Sequence, residues 1–414
     1  MNNLNKDLGL YIHIPFCEKK CDYCDFLSAP ATKEAKKRYV EALLIEIESY
    51  RNQLTKYTVP TIFFGGGTPS CIEAEDILRV MDKIRDVFYL DTKRLEATIE
   101  MNPGTLTKEK LLLYKEAGIN RLSIGLQSVN NEELKLLGRI HSYEEFLDNY
   151  LLARELGFTN INIDLMSALP GQTLSSWENT LTKIVNLKPE HISAYSLIIE
   201  EGTKFFETYK EGAKDSIKLP SEEVERKIYY RTEEILEENG YHRYEITNYA
   251  KPGYECAHNS SYWKGTEYLG LGLGASSLMN GIRFSKEKDM NRYLKRIEQF
   301  KERDAKQSDY SAENSSSHNF TEHRIFDLIG LSMDINVLSD NDKMEEFMFL
   351  GLRMCEGVSK EEFEKRFIRK IEDVYGKVLN RLEAQGLVKN EENRIKLTRL
   401  GIDVSNVVLS EFLL

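Results

Sequence analysis

The sequence predicts an α/β protein: a partial (β/α)6 barrel of TIM type, followed by an α-rich, winged-helix-like C-terminal domain. Three observations predict it. Six short runs rich in Ile, Leu, Phe and Val alternate with helical patterns through the first half of the 414 residues, as parallel strands with helices outside them do. Polar side chains recur where successive runs end, which suits the ligand-binding face of a β/α barrel. The chain closes with GLVKNEENRIKLTRLG, which reads as a two-stranded wing turning around Asn390–Asn393.

The first run, Leu8–Ile14, leads to a helical pattern over Ala35–Leu54, where Val40, Leu43, Leu44 and Ile47 share one face. Val59–Phe64 leads to Ile72–Phe88, and Leu95–Glu100 to Thr107–Ala117. Arg121–Gln127 leads to Ser142–Leu156, Asn160–Leu165 to Ser175–Leu187, and His191–Ile198 is the sixth run. Thr107 is placed as an N-cap, Gly118 and Gly157 stand where C-caps belong, and Trp177 reads as core. From Pro220 the pattern changes to a charged helix (Glu222–Glu238), a strand (Tyr244–Tyr249) and a Gly-rich GLGLGASS stretch. Asp304–Asn319 is polar and Ser-rich and reads as a surface loop. The expected organisation is a barrel over 1–220, a connecting segment that extends the sheet over 221–303, a polar loop over 304–320 and the C-terminal domain over 321–414.

Lys and Arg number 56 against 67 Asp and Glu, a net charge of −11. That balance argues against nucleic acid as a partner, because non-specific binding needs a basic footprint. The winged domain is therefore expected to be structural. No apolar run reaches the ~18 to 20 residues of a membrane span. The start, MNNLNKDLGLYIHIPFC, lacks the basic then apolar pattern of a signal peptide. The expected location is cytoplasmic.

Six cysteines stand at 17, 21, 24, 71, 256 and 355. Cys71 and Cys355 are isolated and read as small buried hydrophobes. Cys17, Cys21 and Cys24 form a C-x3-C-x2-C array directly after the first strand. Zinc sites usually offer four ligands as two separated pairs, whereas iron–sulfur clusters are held by thiolates. Three thiolates on one loop can hold three corners of a cubane and leave one iron open to an exchangeable ligand.

Further motifs fall at the predicted strand ends. Gly65-Gly66-Gly67-Thr68-Pro69 follows the second strand, Glu100 ends the third, Gln127 the fourth and Asp164 the fifth, with Arg139 between the last two. The glycines lack the Lys-[Ser/Thr] of a phosphate loop and do not match G-x-G-x-x-G. Of the histidines, His13 lies in the first strand as packing or support, and His141 follows Arg139 as its support. His191, His242, His318 and His323 show no constellation.

The cysteine spacing with these strand-end motifs resembles the S-adenosylmethionine radical (radical SAM) superfamily. The resemblance implies a radical-SAM barrel, a 4Fe–4S cluster on Cys17, Cys21 and Cys24, and S-adenosylmethionine bound at the open iron. The runs LYIHIPFCEKKCDYCDF, FFGGGTPS, EMNPGT, RLSIGLQS and NIDLMSALPGQT resemble, more narrowly, the oxygen-independent coproporphyrinogen III oxidase family over nearly the whole chain. Tyr11, Tyr23, Gly67, Thr68, Glu100, Gln127, Arg139 and Asp164 match that family's cofactor contacts, and Ile198 and Leu278 fall where further contacts are expected. Arg139 is expected to meet the cofactor carboxylate and the glycines its amino group, with Glu100, Gln127 and Asp164 toward ribose hydroxyls and amine.

Two branches of that family differ. The coproporphyrinogen dehydrogenases carry a further Cys where this chain has Phe26, and a longer segment than the ten residues that precede Tyr11 here. The haem-chaperone branch, HemW-like, carries H-N-x-x-Y-W, matched by His258-Asn259-Ser260-Ser261-Tyr262-Trp263. That resemblance implies a haem chaperone with haem as cargo, His258 as an iron ligand, Tyr262 and Trp263 as flat surfaces for a porphyrin, and Cys256 as a second candidate ligand or thioether partner. Expected partners are haem, haem-acceptor proteins that include membrane-associated ones, and an electron donor for the cluster. The alternatives kept open are oxidative decarboxylation of coproporphyrinogen and radical chemistry on a non-porphyrin substrate. No catalytic residue is assigned, and the sequence leaves open both enzymatic activity and a homodimer.

Overall fold

The structure, a computed structural model, describes residues 6–210, 218–308 and 327–414. Strands and helices alternate as β1 (Lys6–Ile14), α1 (Lys33–Glu48), β2 (Tyr57–Gly66), α2 (Ala74–Val87), β3 (Glu96–Met101), α3 (Lys108–Glu116), β4 (Arg121–Gln127), α4 (Asn131–Leu136), α5 (Tyr143–Glu155), β5 (Ile161–Ser167), α6 (Leu174–Leu187) and β6 (His191–Ser196). There follow α7 (Lys204–Tyr209), α8 (Glu222–Glu238), β7 (His242–Arg243), β8 (Asn248–Ala250), α9 (Ala257–Trp263), β9 (Tyr268–Leu271), β10 (Ser276–Met279), β11 (Ile282–Lys286), α10 (Met290–Ser308) and β12 (Ser332–Val337). The C-terminal part comprises α11 (Asp340–Gly351), β13 (Val358–Ser359), α12 (Lys360–Phe367), α13 (Ile371–Ala384), β14 (Val388–Asn390), β15 (Arg394–Leu397), α14 (Arg399–Asp403) and α15 (Ser405–Ser410).

One twelve-stranded sheet runs β12-β11-β10-β9-β1-β2-β3-β4-β5-β6-β8-β7. β1 to β6 are parallel and adjacent in chain order, and the two ends of the sheet do not meet, so this is a partial barrel of six β/α units. β9 joins parallel to β1, and β10, β11 and β12 extend that edge as antiparallel strands.

Strict alternation along the strands sorts two environments. Leu10, Ile12, Ile62, Phe64, Ile99, Leu122, Ile124, Ile163 and Ile192 are fully buried against the helices. Each such side chain contributes on the order of 1.5–3 kcal/mol by leaving water. The residues between them (Gly9, Tyr11, Thr61, Phe63, Glu96, Glu100, Arg121, Gln127, Asp164, His191) point to the other face, the lumen of the half-closed sheet. Polar caps fix the helix starts: Thr107 accepts from Lys110 N, and Ser142 with Glu145 forms a full capping box ahead of α5. Trp177 is fully buried and donates to Thr232 Oγ1 at 2.7 Å, in the core as expected.

Three expectations need correction. Tyr244–Tyr249 is not one strand: 244–247 form the turn between β7 and β8 and only Asn248 and Tyr249 are strand, because the buried Glu245 carboxylate folds back to accept from Thr247 N at 2.9 Å and Asn248 Nδ2 at 2.6 Å. The expected loop from Asp304 begins as helix, since α10 continues to Ser308. The rest of that loop, His318 and His323 included, lies outside the described residues. Cys71 and Cys355 are half-buried rather than enclosed.

The C-terminal part has its own three-stranded sheet, β13-β15-β14, with the expected turn between β14 and β15. Its core gathers Met348, Phe363, Tyr375, Leu379, Ile395 and Phe412. It meets the barrel through Cys355 N donating to Tyr244 O at 2.9 Å, the Arg283–Glu346 ion pair at 2.9 Å, and Arg353 lying 4.4 Å over the Trp263 ring. Among the described residues no helix is long and apolar enough to cross a membrane.

Candidate functional site

The loop after β1 carries the three clustered cysteines and is pinned on several sides. Cys17 N donates to Ala29 O within the loop, Asp22 N to Leu137 O, and Phe205 N to Asp22 O, so the loop closes on itself and is held by the end of α4 and by α7. His13 reaches up from β1 to bond Leu27 O through Nε2 at 2.9 Å, while its Nδ1 faces Tyr11 Oη at 3.1 Å. It is thus a support beneath the loop, and burial lowers its proton affinity.

Polar links join two of the thiols. Thr68 Oγ1 lies 3.5 Å from Cys17 Sγ and accepts from Asn102 Nδ2 at 2.9 Å. Asn102 Oδ1 in turn accepts from Arg139 at 2.6 Å, and another Arg139 nitrogen lies 3.5 Å from Cys21 Sγ. The guanidinium also donates to Gly125 O. A small pocket between them is lined by Cys21, Thr68, Asn102, Arg139 and His141.

The donor set fits an iron–sulfur cluster and its nucleotide cofactor. Three thiols on one loop suit a sulfur-bridged cluster, and among the described residues no three His, Cys, Asp or Glu side chains converge to hold a single ion. The Gly65–Gly67 loop provides bare backbone beside them. A Cβ at Gly67 would lie 2.5 Å from Phe16 O, and one at Gly66, where φ is 107°, would collide with the His13 ring. Only glycine fits such a crossing.

Acceptors line the lumen below. Glu100 Oε2 accepts from Gly66 N at 3.3 Å, and Asp164 is bonded by Asn162 Nδ2 at 2.8 Å and Ser123 Oγ at 3.3 Å. Burial, then the Asp164 charge, push Glu100 up to about 8. Asp164 is also raised, by burial. Gln127 accepts from Tyr195 Oη at 2.8 Å and holds φ 74°, a left-handed conformation at an irregularity of the β4–β5 register. Strain of that kind clusters at ligand sites. Tyr23 lies against Phe205 at a 6.3 Å ring separation and near Arg139. Ile198 is 69% exposed just past β6, and Leu278 lies across from Tyr268 on β10 in a second cavity. Neither lines the pocket of the thiols.

His258 is at a different level. It sits on α9 where β1 to β4 begin, with Glu96, the first residue of β3, accepting from Ala257 N at 3.0 Å and His258 N at 2.9 Å. The imidazole is 1% exposed and stacks on Phe63 at 5.1 Å. Nδ1 lies 3.0 Å from Thr61 Oγ1 and Nε2 lies 2.8 Å from Tyr262 Oη. Burial, then the Arg121 charge, lower its pKa to about 3, so the ring is neutral. Cys256 is fully buried with Sγ 3.5 Å from Glu96 Oε1, and burial pushes the thiol up to about 12.

Tyr262 and Trp263 border a cavity of about 400 Å3 with Tyr11, His13, Tyr268 and Leu278. Trp263, Leu278 and Leu350 also line a larger one of about 700 Å3 against the C-terminal part, where Phe347, Met354 and Val358 form apolar walls. Both volumes are within the usual range for small-molecule sites.

Two expectations about histidines change. His191 does belong to a constellation, bonding Asn162 Oδ1 at 2.6 Å and Tyr244 Oη at 2.8 Å in the lumen. His141 is beside Arg139 without bonding it; its Nε2 faces Leu126 O at 3.3 Å, and burial followed by the Arg139 charge lower its pKa to about 3. Thr61, Glu96, Asn102 and Arg121 were not singled out from sequence. Their signal was a charged or polar residue at an inward position of an otherwise apolar strand, or, for Asn102, its place two residues past Glu100 in EMNPG, just beyond the strand end.

Comparison with known proteins identifies the family. Residues 11–184 match the radical SAM superfamily and residues 338–404 the HemN C-terminal domain. The chain is 36% identical to the haem chaperone HemW of Lactococcus lactis, over 99% of this chain and 98% of that protein. To HemW of Bacillus subtilis it is 35% identical, over 97% and 98%. Among solved structures, coproporphyrinogen III oxidase (HemN) from Escherichia coli, a radical SAM enzyme, superposes with a TM-score of 0.79 at 25% identity, over 99% of this chain and 90% of that one.

Proposed function

Because the chain belongs to the radical SAM superfamily and, within it, to the family of the haem chaperone HemW, we propose that it binds haem and passes it to acceptor proteins, with a 4Fe–4S cluster and S-adenosylmethionine as resident cofactors. The observation that carries this reading is the extent of the likeness, which takes in α9 and the C-terminal part as well as the barrel. The presence of Phe26 in place of a further cysteine points the same way.

In this reading Cys17, Cys21 and Cys24 hold the cluster. When bound, the cluster supplies reducing electrons at an iron left open to the sulfonium cofactor. Arg139 offers its guanidinium to the cofactor carboxylate, a charge-assisted contact. The Gly67 backbone meets the amino group, and Glu100, Gln127 and Asp164 take ribose and amine donors. Tyr11, Tyr23, Thr68, Ile198 and Leu278 supply the surrounding contacts. His258 is the haem ligand. The chaperone works in the cytoplasm, receives electrons from a reductant, and serves acceptors that include membrane-associated proteins.

Anaerobic reconstitution followed by haem titration, with and without S-adenosylmethionine, tests the reading. A Soret band that grows to saturation, and no conversion of coproporphyrinogen, are the expected results. Protoporphyrinogen formation at enzymatic rates would transfer the protein to the decarboxylase branch.

A further inference from the structure

Across β9, β10 and β11 the register sets Tyr268, Leu278 and Arg283 as direct cross-strand neighbours, so their side chains stand in a row on one face of the sheet. That row borders the cavity of about 400 Å3, with Tyr262 and Trp263 of α9 beside it. The other walls are aromatic, aliphatic or small, and burial keeps His13 neutral there. Among the described residues Arg283 is therefore the one charged side chain on this cavity.

A guanidinium in such a setting needs an anion, and the one it has lies on the far side. Glu346, on α11, accepts from Arg283 at 2.9 Å, but it borders the larger cavity of about 700 Å3 and not this one. Another Arg283 nitrogen donates to Tyr268 Oη at 2.9 Å. Trp263, Leu278 and Leu350 line both cavities, so the Arg283–Glu346 pair stands with them at the partition between the two. The pair is not sealed, since 36% and 17% of the two side chains remain exposed. An ion pair that water reaches contributes little and yields to a competing carboxylate. The guanidinium carries five N–H groups in a planar fork, and that fork takes a carboxylate through two parallel bonds. The larger cavity differs: its charges come in both signs, with Lys264 and Arg394 on Glu356 at 3.3 Å and Arg366 on Glu362 at 2.7 Å.

We propose that Arg283 is the seat for a carboxylate of the haem cargo: a propionate takes the place of Glu346 at the guanidinium while the macrocycle lies along the aromatic walls of the two cavities. The chemistry this setting recognises is a flat, apolar molecule with an anionic edge, which describes haem. The proposal rests on the haem-chaperone reading and adds to it the group that selects the carboxylate. It concerns the edge of the pigment and holds whichever side chain meets the iron.

The test compares haem with its dimethyl ester, in which both propionates are neutral, by absorbance titration of the full-length, anaerobically reconstituted protein. The parent should bind haem about tenfold more tightly than the ester, the scale of one hydrogen bond to a charged group. Arg283→Gln should lose that preference by weakening haem alone, and Arg283→Lys, which keeps the charge without the fork, should retain part of it. Glu346→Gln frees the guanidinium and should enlarge it. S-adenosylmethionine affinity and iron and sulfide content should match the parent in all three. A parent that does not distinguish haem from the ester overturns the proposal, and so does an Arg283→Gln variant that keeps the parent's ratio. Should Arg283→Gln misfold, Glu346→Gln decides, because an unchanged or smaller ratio there overturns the proposal as well. A parent that gives no Soret band with either pigment refutes the chaperone reading instead, so the two failures are distinguishable.

Discussion

Burial and the nearby Asp164 carboxyl hold Glu100 protonated up to about pH 8, where an unperturbed glutamate releases its proton near 4.5. Between those values the folded chain binds the extra proton and the unfolded chain does not, so stability falls as pH rises through this window. Glu100→Gln should flatten that fall: thermal unfolding without cofactors should show the parent losing more midpoint temperature than the variant between pH 5 and 8.5. Gly67 is constrained by shape. A Cβ there would lie 2.5 Å from Phe16 O and 2.9 Å from Phe16 C, backbone atoms with no freedom to turn aside. Gly67→Ala should therefore displace the cysteine loop, at a cost of about 1–3 kcal/mol. Iron and sulfide per chain after reconstitution, and S-adenosylmethionine affinity by calorimetry, should both drop. Cys17, Cys21 and Cys24 were legible in the sequence because all three sit on one loop. Asn102 was not, because its link between Thr68 and Arg139 exists only once three strand ends meet.

α9 has only seven residues, too few to persist as an isolated helix. What holds it is Glu96, whose two carboxylate oxygens take the Ala257 and His258 amides at 3.0 and 2.9 Å. Glu96→Ala should cost about 1–3 kcal/mol in urea unfolding and loosen haem retention, whereas Glu96→Gln, which keeps one acceptor oxygen, should cost less. The six parallel strands were readable because each buries apolar residues at alternate, outward positions, so their signal is local. Tyr244–Tyr249 carries the same composition, yet the inward fold of Glu245 turns it, and the partners of that carboxylate are set by the turn itself. The short helices α4 and α7 likewise carry too few apolar repeats to stand out from the loops around them.

The C-terminal part reaches the barrel where α9 ends, with Arg353 lying 4.4 Å over Trp263. Such a cation–π contact is worth about 0.5–2 kcal/mol. Arg353→Ala should lower the unfolding midpoint modestly and speed cleavage between barrel and C-terminal part under limited proteolysis. The winged shape was legible from its closing sequence, but its position against α9 was not, since Tyr244, Trp263 and Cys355 are far apart in the chain. The same long-range closure sets the thiol loop at one rim of the half-barrel and His258 near the other, with Tyr11, Phe63 and Glu100 lining the wall between them. Tyr11 and Leu278 border the cavity beside Tyr262 and also stand among the proposed nucleotide contacts, so the two ends share walls. On the proposed assignments, a guest at one end would be felt at the other through that shared partition, which would tie loading of the pigment to occupation by the nucleotide.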